Sequence, residues 1–167
     1  MKRTVRINGL ASLRAFAAEM ADALRGTGTV VALEGDLGSG KTTFVQALAA
    51  ALGVTRPVTS PTFTLVCEYP LPRGGRLVHM DLYRLSSEAD LDALGFDEYL
   101  QSGDLVCIEW PDRAGGSLPP DTLRLRFLLD PEAPEARTLL LERRTANSGP
   151  GAQGHGPQTT RRKENEP

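Results

Sequence analysis

The sequence predicts one α/β domain, a three-layer fold with a mixed, partly antiparallel sheet, followed by a polar tail. Three observations carry this expectation. A strand, a glycine-rich loop and a helix follow one another within the first sixty residues; two later apolar strand runs each end near an acid; and two alternating strands close the domain across a proline-bounded turn. A chain of 167 residues is expected to bury roughly 70% of its unfolded surface as one domain. Two full domains do not fit.

Residues 4–7 read as a short strand. Leu13, Phe16, Ala17, Met20 and Leu24 then recur at helical spacing, predicting an amphipathic helix over 12–24. The β-branched run at 29–33 reads as a buried strand. Phe44, Leu48 and Leu52 mark the apolar face of a second helix, closed by Gly53 with Pro57 just beyond. Runs at 63–69, 76–83 and 104–110 predict three more strands, the first two joined by a turn containing Pro72, Gly74 and Gly75. Between the last two, residues 86–100 read as helical, with Ser86 or Ser87 as cap. Strands at 122–129 and 137–144 are expected to pair antiparallel across the turn at 131–134. The domain therefore covers residues 1–144. Residues 145–167 hold almost no apolar side chains to offset the entropy of ordering, and are expected to be a disordered polar tail. Its Arg161–Lys163 run is followed by glutamates, which favours a solvated segment over a nucleic-acid patch.

Hydrophobic residues at 40% and charged residues at 24% are the mix of a soluble globular protein. The net charge of -2 and the pI near 5.7 supply no global positive field for a nucleic acid, so any RNA role is expected to run through partners. Cys67 and Cys107 each sit in an apolar run, as buried thiols do in a reducing compartment. The N-terminus lacks the pattern of a cleaved leader, and nowhere are there 18 consecutive apolar residues. The expectation is a cytoplasmic protein with no membrane partner.

Gly35, Gly40, Lys41 and Thr42 match G-x-x-x-x-G-K-[ST], the P-loop pattern, with Gly38 an additional glycine inside it. A strand before the loop and a helix after it bring backbone N–H groups and the positive helix end onto one spot. Glycines are needed there because a Cβ blocks positive φ and the close approach of backbone to phosphate. A helix terminus contributes about 0.3 to 2 kcal/mol toward an anion, and each charge-assisted hydrogen bond about 1.5 to 3 kcal/mol. Several loop bonds therefore outweigh the dipole. Lys41 adds a compact, movable charge suited to the β- and γ-phosphates, in a chain whose other cations are nearly all arginine. Ser39 and Thr43 complete the nucleotide-binding loop.

Thr42 would place its hydroxyl on Mg²⁺, which also draws on carboxylates directly or through water. Asp81 in "LVHMD" and Glu109 in "LVCIE" follow apolar strand runs, and either suits the second magnesium partner or the residue that orients the attacking water. Residues 60–63, "SPTF", lie where P-loop proteins carry a segment sensing the γ-phosphate, and Thr62 offers a hydroxyl there; from spacing alone, a strand-entry turn at Pro61 is the simpler reading. Trp110 suits either an aromatic wall near the nucleotide or core packing, the commoner fate. His79 shares a strand face with Asp81 but has no neighbouring Cys or His in sequence to support a metal site.

Taken in order and at these distances, "GDLGSGKTTF", "SPTF", "HMDLYRL" and "IEW" resemble the bacterial TsaE (YjeE) family of P-loop ATPases, from about residue 5 to 143. The resemblance implies an ATPase, with ATP and Mg²⁺ as cofactors, required for forming threonylcarbamoyladenosine at position 37 of tRNA. It implies action on a complex of the partner proteins TsaD and TsaB, which hydrolysis resets between turnovers, with tRNA met only through that complex. The family pattern assigns Lys41 and Thr42 to phosphate and magnesium, Glu109 to magnesium, Thr62 to the switch-like segment and Asp81 to the reaction centre. It sets Trp110 and Arg113 near the nucleotide. The main alternative is a small-molecule or nucleotide kinase, since P-loop folds also transfer phosphoryl groups to acceptors, but no long arginine-bearing lid is evident. A GTP-dependent switch lacks its N-K-x-D pattern, because no Asn here precedes a Lys. The acids at 81 and 109 weigh only weakly against a non-hydrolysing nucleotide scaffold.

Overall fold

The run Val30–Glu34 becomes the centre of the sheet because both of its faces are apolar. In the computed structural model, which describes residues 2–143, Val31 and Leu33 face one hydrophobic cluster and Val30 faces another. The elements are β1 (Lys2–Asn8), α1 (Gly9–Leu24), β2 (Val30–Glu34), α2 (Lys41–Leu52), β3 (Val66–Pro70), β4 (Arg76–Asp81), α3 (Glu88–Leu94), α4 (Phe96–Gln101), β5 (Leu105–Glu109), a 3-10 turn (Pro111–Ala114), β6 (Leu123–Leu129) and β7 (Ala136–Arg143). The sheet order is β1-β7-β6-β2-β5-β4-β3.

Parallel pairing holds the middle and antiparallel pairing the edges. β2 runs parallel to both β5 and β6, and β5 parallel to β4, so the ends of four strands point the same way. The hairpins β3–β4 and β6–β7, and the β1–β7 pair, are antiparallel. Helices α1 and α2 pack on one face, where Phe16, Phe44 and Phe127 meet with ring centroids 5.8 and 6.0 Å apart. On the other face Leu91 of α3 and Phe96 of α4 cover Val78, Met80, Val106 and Ile108. This is the expected three-layer mixed α/β fold.

Helix α1 begins at Gly9 rather than residue 12 and β1 at Lys2 rather than residue 4, and two further stretches depart from the sequence expectation, each for a local reason. The strand expected from residue 63 begins only at Val66, because residues 62–65 form a turn in which the Leu65 N–H donates to the Pro61 carbonyl at 2.6 Å. Leu65 takes the left-handed region at φ 65°, which a branched side chain enters only under constraint. The constraint is β4, whose Asp81 N–H donates to Leu65 O at 3.0 Å. The helix expected over 86–100 divides at Gly95, whose φ of 69° ends α3 and begins α4. Ser87 caps α3 in a reciprocal box with Asp90. The expected tail from residue 145 lies outside the described residues. Among those described, no helix is long and apolar enough to cross a membrane.

Candidate nucleotide-binding site

The parallel strands deliver their carboxyl ends to one crevice, where open α/β sheets bind ligands. β2 ends at Glu34, β4 at Asp81 and β5 at Glu109, and the β4–β5 register sets Asp81 directly beside Glu109. Between β2 and α2 the loop turns on Gly35, whose lack of a side chain is obligatory. A Cβ there would lie 2.7 Å from Phe127 O and 2.9 Å from Ser39 Oγ. Gly40, at φ 107°, opens α2 without any side-chain cap, so the first-turn N–H groups stand ready for an anion.

A cleft of about 180 Å³ is walled by the P-loop (Leu37, Gly38, Gly40, Lys41, Thr42, Thr43), by Ser60 and Thr62, and by Asp81, Glu109 and Trp110. Within it the Lys41 ammonium is 4% exposed by residue and donates to the carbonyls of Gly35 at 2.8 Å and Asp36 at 2.9 Å, while lying 4.4 Å above the Trp110 ring. Burial pulls its pKa below the usual lysine value; Glu109, Asp81 and Asp36 oppose that shift. Among the described residues its hydrogen-bond acceptors are neutral carbonyls, which phosphate oxygens can replace.

Thr42 and Glu109 form the second unit. The Thr42 hydroxyl donates to Glu109 Oε1 at 2.7 Å, and His79 Nε2 lies 2.9 Å from the same oxygen. Burial would raise the Glu109 carboxyl pKa, but the bonds from His79 and Thr42 and the nearby Lys41 charge outweigh it and hold the group below its ordinary value. A buried carboxylate beside a hydroxyl at a phosphate loop is a donor set suited to a hydrated, oxygen-seeking cation. Among the described residues no group of three or more His, Cys, Asp or Glu side chains is arranged to hold a metal alone. Magnesium would thus need phosphate and water as further ligands, which is how that ion is ordinarily bound.

Asp81 forms the third unit with the "SPTF" segment. The Thr62 hydroxyl donates to Asp81 Oδ2 at 2.6 Å and shares a 2.8 Å hydrogen bond with Ser60 Oγ, while Tyr83 N–H donates to Asp81 Oδ1 at 2.9 Å. The segment is therefore more than a strand-entry turn, since it brings a hydroxyl onto the acid. Trp110 is likewise not in the core. At φ 57° it adopts a strained left-handed backbone that sets its ring beside Lys41 and 5.0 Å from Tyr83.

Arg113 stands apart from these groups, in a neighbouring cleft with Ser86, Ser87 and Glu88. Within the loop Ser39 is fully buried; among the described residues its hydroxyl has no partner, and its carbonyl accepts from Arg137 Nε at 3.0 Å. A second cleft, of about 190 Å³, adjoins Gly38, Ser39, Gly40 and Thr43 and has Ile7, Leu10, Leu13 and Phe127 as apolar walls. Sequence reasoning missed it because its walls come from β1, α1 and β6, and no short motif joins them.

Compared with known families, residues 7–139 match the model described as threonylcarbamoyl adenosine biosynthesis protein TsaE. The chain belongs to the TsaE family. A relative named tRNA threonylcarbamoyladenosine biosynthesis protein TsaE, from Bacillus subtilis, is 42% identical over 111 residues, which cover 65% of this chain and 66% of that protein. The matched part thus spans just under two thirds of that relative. A protein of the same name from Treponema pallidum is 44% identical over 107 residues, covering 62% of this chain and 76% of the relative. Among solved structures, that of Bacillus subtilis YdiB superposes with a TM-score of 0.66 at 31% identity, covering 84% of each chain. TsaE-family membership and the mixed α/β fold thus rest on independent comparisons. The two cysteines of this TsaE-family chain are free and outside the cleft lining. Burial pushes the Cys107 thiol up to about 12, so it is inert as a nucleophile.

Proposed function

We propose that this chain is a Mg²⁺-dependent ATPase serving the formation of threonylcarbamoyladenosine at position 37 of tRNA, where it acts on a complex of TsaB and TsaD. The observation that carries the nucleotide reading is the convergence of an uncapped helix start, a buried Lys41 hydrogen-bonded to backbone carbonyls, and the Thr42–Glu109 pair on one cleft. The tRNA pathway is supported by the TsaE family match and by the names of its relatives.

In this reading the loop N–H groups and Lys41 bind the phosphates, Lys41 exchanging the Gly35 and Asp36 carbonyls for phosphate oxygens. Bound Mg²⁺ would neutralise developing charge on the phosphate oxygens. Thr42 and Glu109 would hold that ion, Thr42 by its hydroxyl. Asp81, buried and fixed by Thr62 and Tyr83 N–H, is placed to orient a water, a role that its neighbour Glu109 shares the chemistry to fill. Trp110 shields the phosphate end from solvent, and the apolar cleft beside Thr43 is suited to the flat face of the base. Arg113, in the neighbouring cleft, would reach the nucleotide only after a movement of its turn.

The test is in two parts. Purified chain should show weak, Mg²⁺-dependent ATP hydrolysis that rises on adding TsaB and TsaD, and tRNA from cells depleted of it should lose threonylcarbamoyladenosine by mass spectrometry of nucleosides. Unchanged tRNA would defeat the pathway while leaving the nucleotide site standing. Rapid, partner-independent phosphorylation of a metabolite would make the protein a kinase instead.

A further inference from the structure

His79 is a buried polar side chain with no role in the site as described so far. It lies on β4 with no exposure at all, in line with Leu77 on the same strand face, where an apolar residue would serve the core equally well. Among the described residues its Nδ1 has no hydrogen-bond partner. Burying a polar group that is only half satisfied costs stability, so the contact that is made calls for an explanation.

That contact is with Glu109. Parallel pairing sets His79 opposite Cys107 and Asp81 opposite Glu109, which lets the ring reach diagonally along the sheet to Glu109 Oε1 at 2.9 Å. Thr42 donates to the same oxygen at 2.7 Å. Two donors thus converge on Oε1, and among the described residues none donates to Oε2. A carboxylate's terminal torsion is broad and roughly two-fold, so a single donor leaves the group free to rotate. Two donors on one oxygen fix which oxygen is left for the cleft. With Glu109 as acceptor, the ring donates from Nε2.

We propose that His79 is a positioning residue for Glu109, holding Oε1 so that Oε2 is presented to the hydrated cation. The proposal rests on the Mg²⁺-ATPase reading above and adds to it a residue that touches neither nucleotide nor metal. Partners behind a metal-holding side chain typically set about 10- to 100-fold of metal affinity or activity. The role of His79 therefore shows in the magnesium dependence, whereas nucleotide binding by the loop is independent of it.

The experiment uses the full chain with TsaB and TsaD and two variants, His79→Leu, which removes the donor, and His79→Gln, which offers an amide N–H. The Mg²⁺ concentration at half-maximal ATP hydrolysis should rise about 10- to 100-fold in His79→Leu. Turnover at saturating Mg²⁺ and Mg²⁺-free nucleotide binding should stay near wild type, and His79→Gln should recover most of the shift. A folded His79→Leu protein with an unchanged magnesium requirement overturns the proposal. So does a shift in His79→Gln as large as that in His79→Leu. Should His79→Leu fail to fold, the imidazole ¹⁵N spectrum decides. An Nε2-protonated ring whose signals move in Glu109→Gln supports the contact, and signals unmoved by that change refute it. Failure of the ATPase reading looks different, because wild type itself would then show no magnesium-dependent hydrolysis.

Discussion

Strands β4 and β5 carry a charged cluster at each end, and the two clusters differ in one respect. At the entry end, Arg76 donates from Nε and Nη2 to Asp104 Oδ2 at 2.9 and 2.6 Å and also pairs with Glu68, whose other oxygen accepts from the Tyr99 hydroxyl at 2.9 Å. Charge meets charge there and the network closes on itself. At the exit end, among the described residues, Lys41 donates only to carbonyls and lies over a ring, Glu109 keeps an oxygen without a donor, the Ser39 hydroxyl has no partner, and α2 begins without a side-chain cap. A closed cluster joins strands, whereas an open one in a cleft is arranged for something else to complete it.

The comparison breaks most readily at Lys41. Lys41→Ala should lower ATP hydrolysis by about 100- to 10,000-fold, the equivalent of two lost charged hydrogen bonds, as measured by phosphate release at saturating Mg²⁺. Thr62→Val removes one hydroxyl from Asp81 at nearly constant volume, and a fall of about 10- to 100-fold in turnover is expected. A smaller effect on turnover, none within error, is expected from Arg76→Leu at the closed end. Its cost should appear instead as an earlier midpoint in urea unfolding, and a loss of hydrolysis in that variant would erase the distinction between the ends.

Acidity gives the smallest and broadest effect. Burial raises the carboxyl pKa values of Glu34, Asp104 and Glu109, but hydrogen bonds outweigh it: from Arg124 and Arg126 to Glu34, from Arg76 and Ser102 to Asp104, and from His79 and Thr42 to Glu109. All three groups therefore sit below their ordinary values of 4.5 for glutamate and 3.8 for aspartate. Their stabilisation is fully present above those values and is lost as the pH falls through the lowered ones. Urea midpoints should hold steady from pH 7 to about 5 and then decline. Arg76→Leu should remove the share of that decline due to Asp104.

Much of this was legible in the sequence because the signals were local. Gly35 to Thr42 form one contiguous motif, and the apolar runs before Asp81 and Glu109 announce strands with acids at their ends. What stayed hidden depended on pairing between distant strands. His79 has no partner within its own segment, and only the β4–β5 register brings Glu109, thirty residues later, within reach. Thr62 could not be separated from a simple turn because the acid its hydroxyl meets, Asp81, lies nineteen residues later on β4. Gly95 was visible, but a glycine within a helical pattern does not announce whether it is tolerated or divides the helix.

On the proposed function, Mg²⁺ and ATP complete the open cluster. Isothermal titration of the full chain with a non-hydrolysable ATP analogue, with and without Mg²⁺, tests it most directly. One site is expected, tightened by Mg²⁺ in wild type and lost in Lys41→Ala. Equal binding by wild type and Lys41→Ala, indifferent to Mg²⁺, would contradict the account.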